Sequence, residues 1–259
     1  MSAATSPGEA IDTPFPSYWS DSRQPLASLI FVAPLLVVYE LGVLAFGDSA
    51  LRNGADVWLR QLLEWIGLGH YFLLPAMTVG LLIGWHYTTR QPWQVSRTVL
   101  AGMAAESALL AVSLRLLLEF QAAVVTAIGT APRAAETTPP LLDLAGELNG
   151  IVGFLGAGVY EELMFRLLPL APMAFVLRRL GAERRWSLIL AIMATSLTFA
   201  VAHYIGPYGE AVEWLDGRFW FSFTFRLLAG VFFGLLFVYR GFGIAAGTHA
   251  GYDILAGVL

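Results

Sequence analysis

The feature that constrains the fold most is a long apolar run, from about Leu148 to Leu177, that carries charges near its middle. Glycine, proline and other small residues interrupt the run, and the segment 160–166 reads YEELMFR. A run of this length predicts a membrane-spanning helix. Charged side chains inside a bilayer are costly and are normally kept for a function. The run therefore predicts a membrane fold and a functional site together.

The spacing of the charges separates two roles. Glu162 and Arg166 are four residues apart, so they share one face of a helix and are expected to pair. Glu161 lies about 100° further round the helix and has no local counter-ion. An unpaired carboxylate in an apolar site is a natural general base or acid. The alternative is a packing salt bridge with one spare acid facing water, which is common in soluble helices and unexpected here.

The composition is that of an integral membrane protein. Of the 259 residues, 57% are hydrophobic and 13% are charged, and the charged fraction is about half the globular average. The chain has no cysteine, which excludes disulfides and zinc sites built on thiolates. Its net charge is −4, without long basic runs, so no nucleic-acid partner is expected.

The apolar spans predict an all-α fold, a polytopic transmembrane helix bundle of about seven spans. One interfacial amphipathic helix is expected at 53–67, where Asp56, Arg60 and Glu64 recur every four residues among apolar and tryptophan side chains. The predicted spans are 26–46, 69–88, 97–120, 148–177, 186–204, 219–239 and 243–258.

Three regions follow from this pattern. Residues 1–24 are polar, without a signal or transit sequence, and are predicted to be a disordered N-terminal tail. Residues 25–144 form the N-terminal transmembrane helices, and 145–259 form a helical core. The longest loop is expected at 129–147. In the N-terminal helices, Glu106 is a weak second candidate for a site.

Arginines indicate the orientation of the bundle. They are more frequent in those predicted loops that are cytoplasmic when the N-terminus is cytoplasmic. We therefore expect an N-terminus inside and a C-terminus outside. A short chain without a targeting sequence points to a bacterial inner (cytoplasmic) membrane.

Three more polar residues lie in predicted apolar helices: His203, His249 and Asp253. A single intramembrane histidine is explained by a hydrogen bond to a backbone carbonyl, but two histidines and several carboxylates on three helices are harder to explain as packing. Glu161 and His203 lie about 24 and 26 Å along their helices from the same arginine-rich loop at 178–185. These groups are therefore expected to meet in one intramembrane cavity.

The motifs that carry these residues resemble a known family. Together and in this order, they are similar to those of the CPBP family of intramembrane endopeptidases, which comprises CAAX proteases and bacteriocin-processing (Abi) proteins. The resemblance covers 145–259, a CPBP/Abi-like catalytic core, and one difference is that many members have Asn where this chain has Asp253. The motifs are Glu161-Glu162-x-x-x-Arg166, Phe199-x-x-x-His203 and His249-x-x-x-Asp253.

The resemblance implies a role for each polar side chain. Glu161 would activate a water that attacks the scissile carbonyl, and His203 would orient that water or bind a metal. His249 would stabilise the oxyanion with the help of Asp253. Glu162 and Arg166 would hold the helix register and the local charge.

A cofactor is left open by the sequence. His203 and His249 are possible zinc ligands, since two histidines and a glutamate can hold Zn²⁺ with a water in the fourth position. They can equally polarise water without a metal. Because Glu161 is needed as the base, the residues favour the absence of a tightly held ion.

The sequence favours an intramembrane protease acting on a membrane-embedded peptide or protein, with the lipid bilayer as its other partner. Relatives include the type II CAAX prenyl endopeptidases, although a prenylated substrate is not required. The alternatives are a non-catalytic immunity or scaffold protein of the same fold, and a proton or ion carrier that uses Glu161, His203 and Asp253 as a relay.

Overall fold

The computed structural model describes residues 14–128, 144–206 and 209–258, and the regular structure in these ranges is entirely helical. This confirms the predicted all-α class. The helices are α1 (Pro14–Asp21), α2 (Pro25–Phe46), α3 (Gly54–Trp65), α4 (Leu73–Thr89), α5 (Arg97–Ala127), α6 (Leu144–Glu162), α7 (Leu170–Arg179), α8 (Arg184–Ala202), α9 (Gly217–Arg240) and α10 (Phe242–Val258).

Four helical segments, formed by α2, α5, α8 and α9, are long and apolar enough to cross a membrane. Their most apolar windows have mean hydropathies between 1.6 and 2.4. The chain is therefore an integral membrane protein built as a transmembrane helix bundle. The count of about seven spans stays a prediction, which would be completed by α4, α10 and the segment from α6 to α7.

The centre of the bundle is α10, which packs against α2, α5, α6 and α9. Small residues let the backbones of α6 and α10 come close together. A Cβ added at Gly158 of α6 would lie 2.7 Å from the carbonyl oxygen of Ala246 and 2.6 Å from Cβ of Ala250. Close approach through small residues is typical of helix packing in membranes. It brings the end of α6 against the middle of α10.

The predicted span 148–177 is broken into two helices. After α6 ends at Glu162, the chain makes a π-helical turn over Leu163–Leu167, and α7 begins after Pro169. Proline lacks a backbone N–H and ends or kinks a helix. Single π-helical turns occur mostly at functional sites. This one directly follows the two glutamates.

The amphipathic helix α3 differs from the expected interfacial helix in one respect: part of its polar face is buried. Asp56 is 0% exposed. Its carboxylate accepts hydrogen bonds from Arg52 (2.9 Å), Arg60 (2.6 Å) and the Tyr39 hydroxyl (2.9 Å). These partners come from α2, α3 and the preceding loop. Part of the polar face of α3 therefore packs against the protein, in addition to the contact expected with the membrane interface.

The predicted disordered tail differs from the structure between residues 14 and 21, which form α1; residues 1–13 lie outside the described ranges. The Tyr18 hydroxyl donates to Glu106, and Arg240 donates to the same carboxylate at 2.6 and 2.7 Å. The Arg240 guanidinium also lies 3.7 Å from the centre of the Trp19 ring. These contacts explain Glu106 as the centre of a cluster that ties α1, α5 and α9 together.

The predicted loop at 129–147 is shorter at its C-terminal end, because α6 begins at Leu144; residues 129–143 lie outside the described ranges. Helix α5 continues to Ala127, beyond the predicted end at 120. On this helix, Arg115 Nε lies 3.3 Å from Glu119 Oε1 at the exposed surface.

Candidate active site

The structure brings the six predicted site residues together where the end of α6 and the π-helical turn meet α8 and α10. Each motif supplies the side chains of one element, and the close contact of α6 with α10 joins the first motif to the third. The six residues are Glu161, Glu162, Arg166, His203, His249 and Asp253.

Glu162 is held at one of its oxygens by two neighbours. Its Oε1 lies 3.2 Å from Arg166 Nη1 and 2.8 Å from His249 Nδ1, and the side chains of Glu162 and Arg166 are both 0% exposed. Arg166 also donates to the carbonyl of Gly230 at 3.1 Å and lies over the ring of Phe199. The pair expected from the i,i+4 spacing is therefore present and buried at the junction of α6, α8 and α9.

Glu161 is held at one oxygen and open at the other. Its Oε1 accepts a 2.7 Å hydrogen bond from Asn53 Nδ2. Within the described residues, its Oε2 has no hydrogen-bond partner. That atom lies 3.7 Å from His249 Nε2 and 4.0 Å from His203 Nε2. One carboxylate oxygen therefore faces both imidazole rings.

The ring orientations of the two histidines follow from their Nδ1 partners. His203 Nδ1 lies 2.8 Å from the carbonyl oxygen of Phe199, which can only accept a hydrogen bond. His249 Nδ1 likewise faces the carboxylate of Glu162. Both Nδ1 atoms therefore carry hydrogen, and both Nε2 atoms point toward Glu161. His249 Nε2 is also 3.6 Å from Asp253 Oδ2.

Two cavities reach this cluster. The first, of about 180 Å³, borders Asn53, Trp58, Glu161 and His203 at the α3 end. The second, of about 400 Å³, borders His203 on its other side. Its lining includes Phe199, Phe225, Phe233, His249, Tyr252 and Asp253. Glu162 and Arg166 border neither of these two cavities.

Residues that sequence reasoning missed complete the site. Arg226 borders both cavities and donates to Glu210 (2.8 Å) and to the Tyr204 hydroxyl (3.2 Å). The hydrogen bonds from Arg226 hold the pKa of Glu210, in the loop before α9, below its ordinary value. The ring of Phe233 stacks on His249 with centroids 4.3 Å apart. The charge of Arg226 inside an apolar span was a usable signal, whereas Asn53 and Phe233 gave none.

The polar groups do not fit a ready-made metal site. In the part of the chain that the structure describes, no group of three or more His, Cys, Asp or Glu side chains has the arrangement needed to hold a metal ion. The Nε2 atoms of His203 and His249 lie 4.0 and 3.7 Å from Oε2 of Glu161. Zinc ligands bonded at about 2 Å need to converge more closely on one point.

Comparison with known proteins identifies part of the chain. Residues 146–255 match the family model described as Type II CAAX prenyl endopeptidase Rce1-like. No curated protein and no solved structure matches the chain. The matched segment includes every polar residue that α6, α8 and α10 bring together, and it leaves out Asn53. The segment 146–255 of this integral membrane protein is thus similar to the CAAX protease family that its three motifs resemble.

Proposed function

We propose that this protein is an intramembrane endopeptidase that hydrolyses a peptide bond of a membrane-associated peptide or protein. The observation that carries the proposal is the position of Glu161 Oε2. This atom borders a cavity, is free of hydrogen bonds from the described residues and faces the Nε2 atoms of His203 and His249. A carboxylate placed in this way can take a proton from a water held between the same groups.

The first chemical step is the attack of water on the scissile carbonyl. The cavity of about 180 Å³ beside Glu161 and His203 exceeds the roughly 30 Å³ that one water occupies in the liquid. Glu161 Oε2 accepts a proton from this water while the water oxygen bonds to the carbonyl carbon. His203 Nε2, directed by the bond from Nδ1 to the Phe199 carbonyl, orients the water.

The second step is the collapse of the tetrahedral intermediate. His249, protonated on both ring nitrogens, donates from Nε2 to the oxyanion, and Glu162 and Asp253 supply the opposite charge around the ring. The C–N bond then breaks as Glu161 returns its proton to the leaving amine nitrogen. No step passes through a metal ion.

Glu162 and Arg166 hold this arrangement rather than react. Neither borders the two cavities, and both are completely buried. Glu162 fixes His249 through Nδ1, while Arg166 neutralises Glu162 and ties the π-helical turn to α9 through Gly230.

The lining of the second cavity supports an apolar substrate segment. Aromatic side chains from α8, α9 and α10 surround the side of His249 that faces Asp253. Such a surface accepts apolar side chains next to the scissile bond, and it would equally accept the lipid of a prenylated CAAX peptide. The proposed substrate segment is therefore apolar next to the scissile bond.

The proposal includes a cytoplasmic N-terminus in a bacterial inner membrane. Arg23 donates to the carbonyl of Val238, and Arg240 lies against α1. These two contacts place the start of α2 and the end of α9 at the same end of the bundle. The arginine-rich connection at 178–185 leads into α8, and positive charge favours the cytoplasmic side.

Comparative proteomics of membranes tests the proposal and identifies the substrate. Cells with the wild-type protein and cells with a Glu161→Ala variant are compared for membrane peptides that accumulate uncut. We expect at least one membrane protein to be cleaved only in the wild-type cells. Identical peptide patterns from two equally abundant proteins would favour the scaffold alternative, and a proton conductance without proteolysis would favour the carrier.

A further inference from the structure

Asn53 lies directly before α3, outside the segment that matches the protease family, and its side chain is bonded at both ends. Its Oδ1 accepts a hydrogen bond from the backbone N–H of Ala55 (2.8 Å) and so caps the helix. Its Nδ2 donates to Glu161 Oε1 at 2.7 Å. Because the cap fixes the oxygen, the amide nitrogen can point only toward Glu161.

A buried polar network fixes the position of α3. Asp56, one turn after the cap, is 0% exposed and accepts from Arg52, Arg60 and the Tyr39 hydroxyl. Arg60 also reaches Glu40 of α2 at 3.1 Å. Removing one partner from such a network leaves a buried charge unpaired, so the arrangement is rigid.

The same network also fixes Glu161. The hydroxyl of Tyr160, the residue before Glu161, donates to Glu40. The Tyr39 ring packs so tightly on α6 that a Cβ at Gly156 would lie 2.2 Å from it. Helices α2, α3 and α6 are thereby joined around the hydrogen bond from Asn53 to Glu161.

This hydrogen bond selects which oxygen of the carboxylate can react. A carboxylate that turns about its terminal bond presents either oxygen to a water, since that torsion is broad and two-fold. With Oε1 held by Asn53, Oε2 is the atom that faces His203 and His249. We propose that Asn53 is a positioning residue for the hydrolytic reaction, acting through Glu161; this inference rests on the proposed function of Glu161.

Two substitutions of Asn53 distinguish its proposed role in positioning Glu161 from its role as the cap of α3. Serine and aspartate both cap helices about as well as asparagine, so Asn53→Ser and Asn53→Asp keep the start of α3. Serine is too short to reach Glu161, and aspartate places a second carboxylate beside it. A hydrogen bond to a charged group has an effect of about tenfold or more on an equilibrium.

We expect kcat to fall about tenfold or more in Asn53→Ser and further in Asn53→Asp, with KM close to that of the wild type. The substrate is the one found by membrane proteomics, or a peptide of its cleavage site, and the assay uses the full chain in detergent. The thermal unfolding midpoint of Asn53→Ser is expected to stay near that of the wild type, because serine retains the cap.

Asn149 provides a matched control. From α6 it accepts from the N–H of Leu51 (2.9 Å) and donates to the carbonyl of Ser49 (2.7 Å), so it pins the loop that leads to Asn53 without contacting Glu161. Asn149→Ser is expected to keep the wild-type kcat. An equal loss of kcat in Asn149→Ser and Asn53→Ser would show that the loop position matters rather than the hydrogen bond, and would overturn the inference.

Further outcomes distinguish this inference from the proposed function. Wild-type kcat in both Asn53 variants, with an inactive Glu161→Gln variant, contradicts the positioning role and leaves the protease function standing. A raised KM with unchanged kcat means that Asn53 binds substrate, which also overturns the inference. If Glu161→Gln remains active, the proposed function fails and the inference fails with it.

Discussion

Arg166 is the most deeply buried cation of the site, and its partners make its loss expensive. It is 0% exposed, lies 3.2 Å from Glu162 and is covered by Phe199 and Phe233. We predict that Arg166→Ala lowers the free energy of unfolding by about 3–5 kcal/mol, because the carboxylate it leaves behind stays buried. Folded yield and unfolding midpoint in detergent measure this. The control is Arg115→Ala, whose exposed pair with Glu119 should contribute at most about 1 kcal/mol. Normal accumulation of Arg166→Ala with a loss of turnover alone would mean that Arg166 acts on the substrate instead. The zinc content of the protein depends on the same group of side chains. We predict that purified protein contains far less than one zinc per chain, because Glu161, toward which the Nε2 atoms of His203 and His249 point, is needed as the base of the proposed reaction. Elemental analysis measures this, and stoichiometric zinc that is lost together with activity in His203→Ala would contradict it. Sequence spacing was sufficient to predict the contact between Glu162 and Arg166, since an i,i+4 relation is local. It could not predict Asn53, because an asparagine before a helix indicates only a cap, and its contact with Glu161 joins residues 108 positions apart.

The contact between α6 and α10 decides whether the two glutamates reach His249. A Cβ at Gly158 would lie 2.7 Å from the carbonyl oxygen of Ala246 and 2.7 Å from the backbone nitrogen of Ala250, so the helices must separate to admit it. We predict that Gly158→Ala destabilises the protein by about 1–3 kcal/mol and also lowers activity, because Glu162 moves away from His249. The control on the same helix is Gly150→Ala, where a Cβ meets no atom of the described residues within 4 Å. Thermal unfolding and cleavage assays of both variants measure the difference; equal behaviour of the two would show that the close packing is unimportant. The apolar runs predicted the helices of the bundle themselves. The pattern could not show that α1 is ordered or that α3 is partly buried, because both depend on partners distant in sequence, such as Glu106 and Tyr39.

The bundle as a whole has two distinguishable ends. One holds Arg23 and the cluster of Arg240 with Glu106, while the other holds α3 and the smaller cavity. With seven spans and a cytoplasmic N-terminus, α3 and the mouth of that cavity lie at the non-cytoplasmic side. We predict that a reporter fused to the C-terminal end is active only outside the cytoplasm. A fusion active only inside the cell would contradict the combination of a cytoplasmic N-terminus with seven spans. The motifs in residues 145–259 made the site predictable. The contribution that Asn53 and its neighbours in the first half of the chain make to the site was not predictable, since those residues carry no motif.

The central claim is that Glu161 is the catalytic carboxylate and Glu162 the supporting one. Glu161→Gln and Glu162→Gln test it most directly, because each removes one charge with almost no change of shape. The measurement is cleavage of the substrate in detergent, together with thermal unfolding of both variants. We expect Glu161→Gln to lose about 10²–10⁴ in rate and to remain folded, since Glu161 borders a cavity and, among the described residues, accepts a single hydrogen bond, from Asn53. Glu162→Gln should lose more stability and less turnover, because it leaves Arg166 without its counter-charge. A Glu161→Gln variant that keeps most of its activity, beside a folded but inactive Glu162→Gln variant, would reverse the assignment.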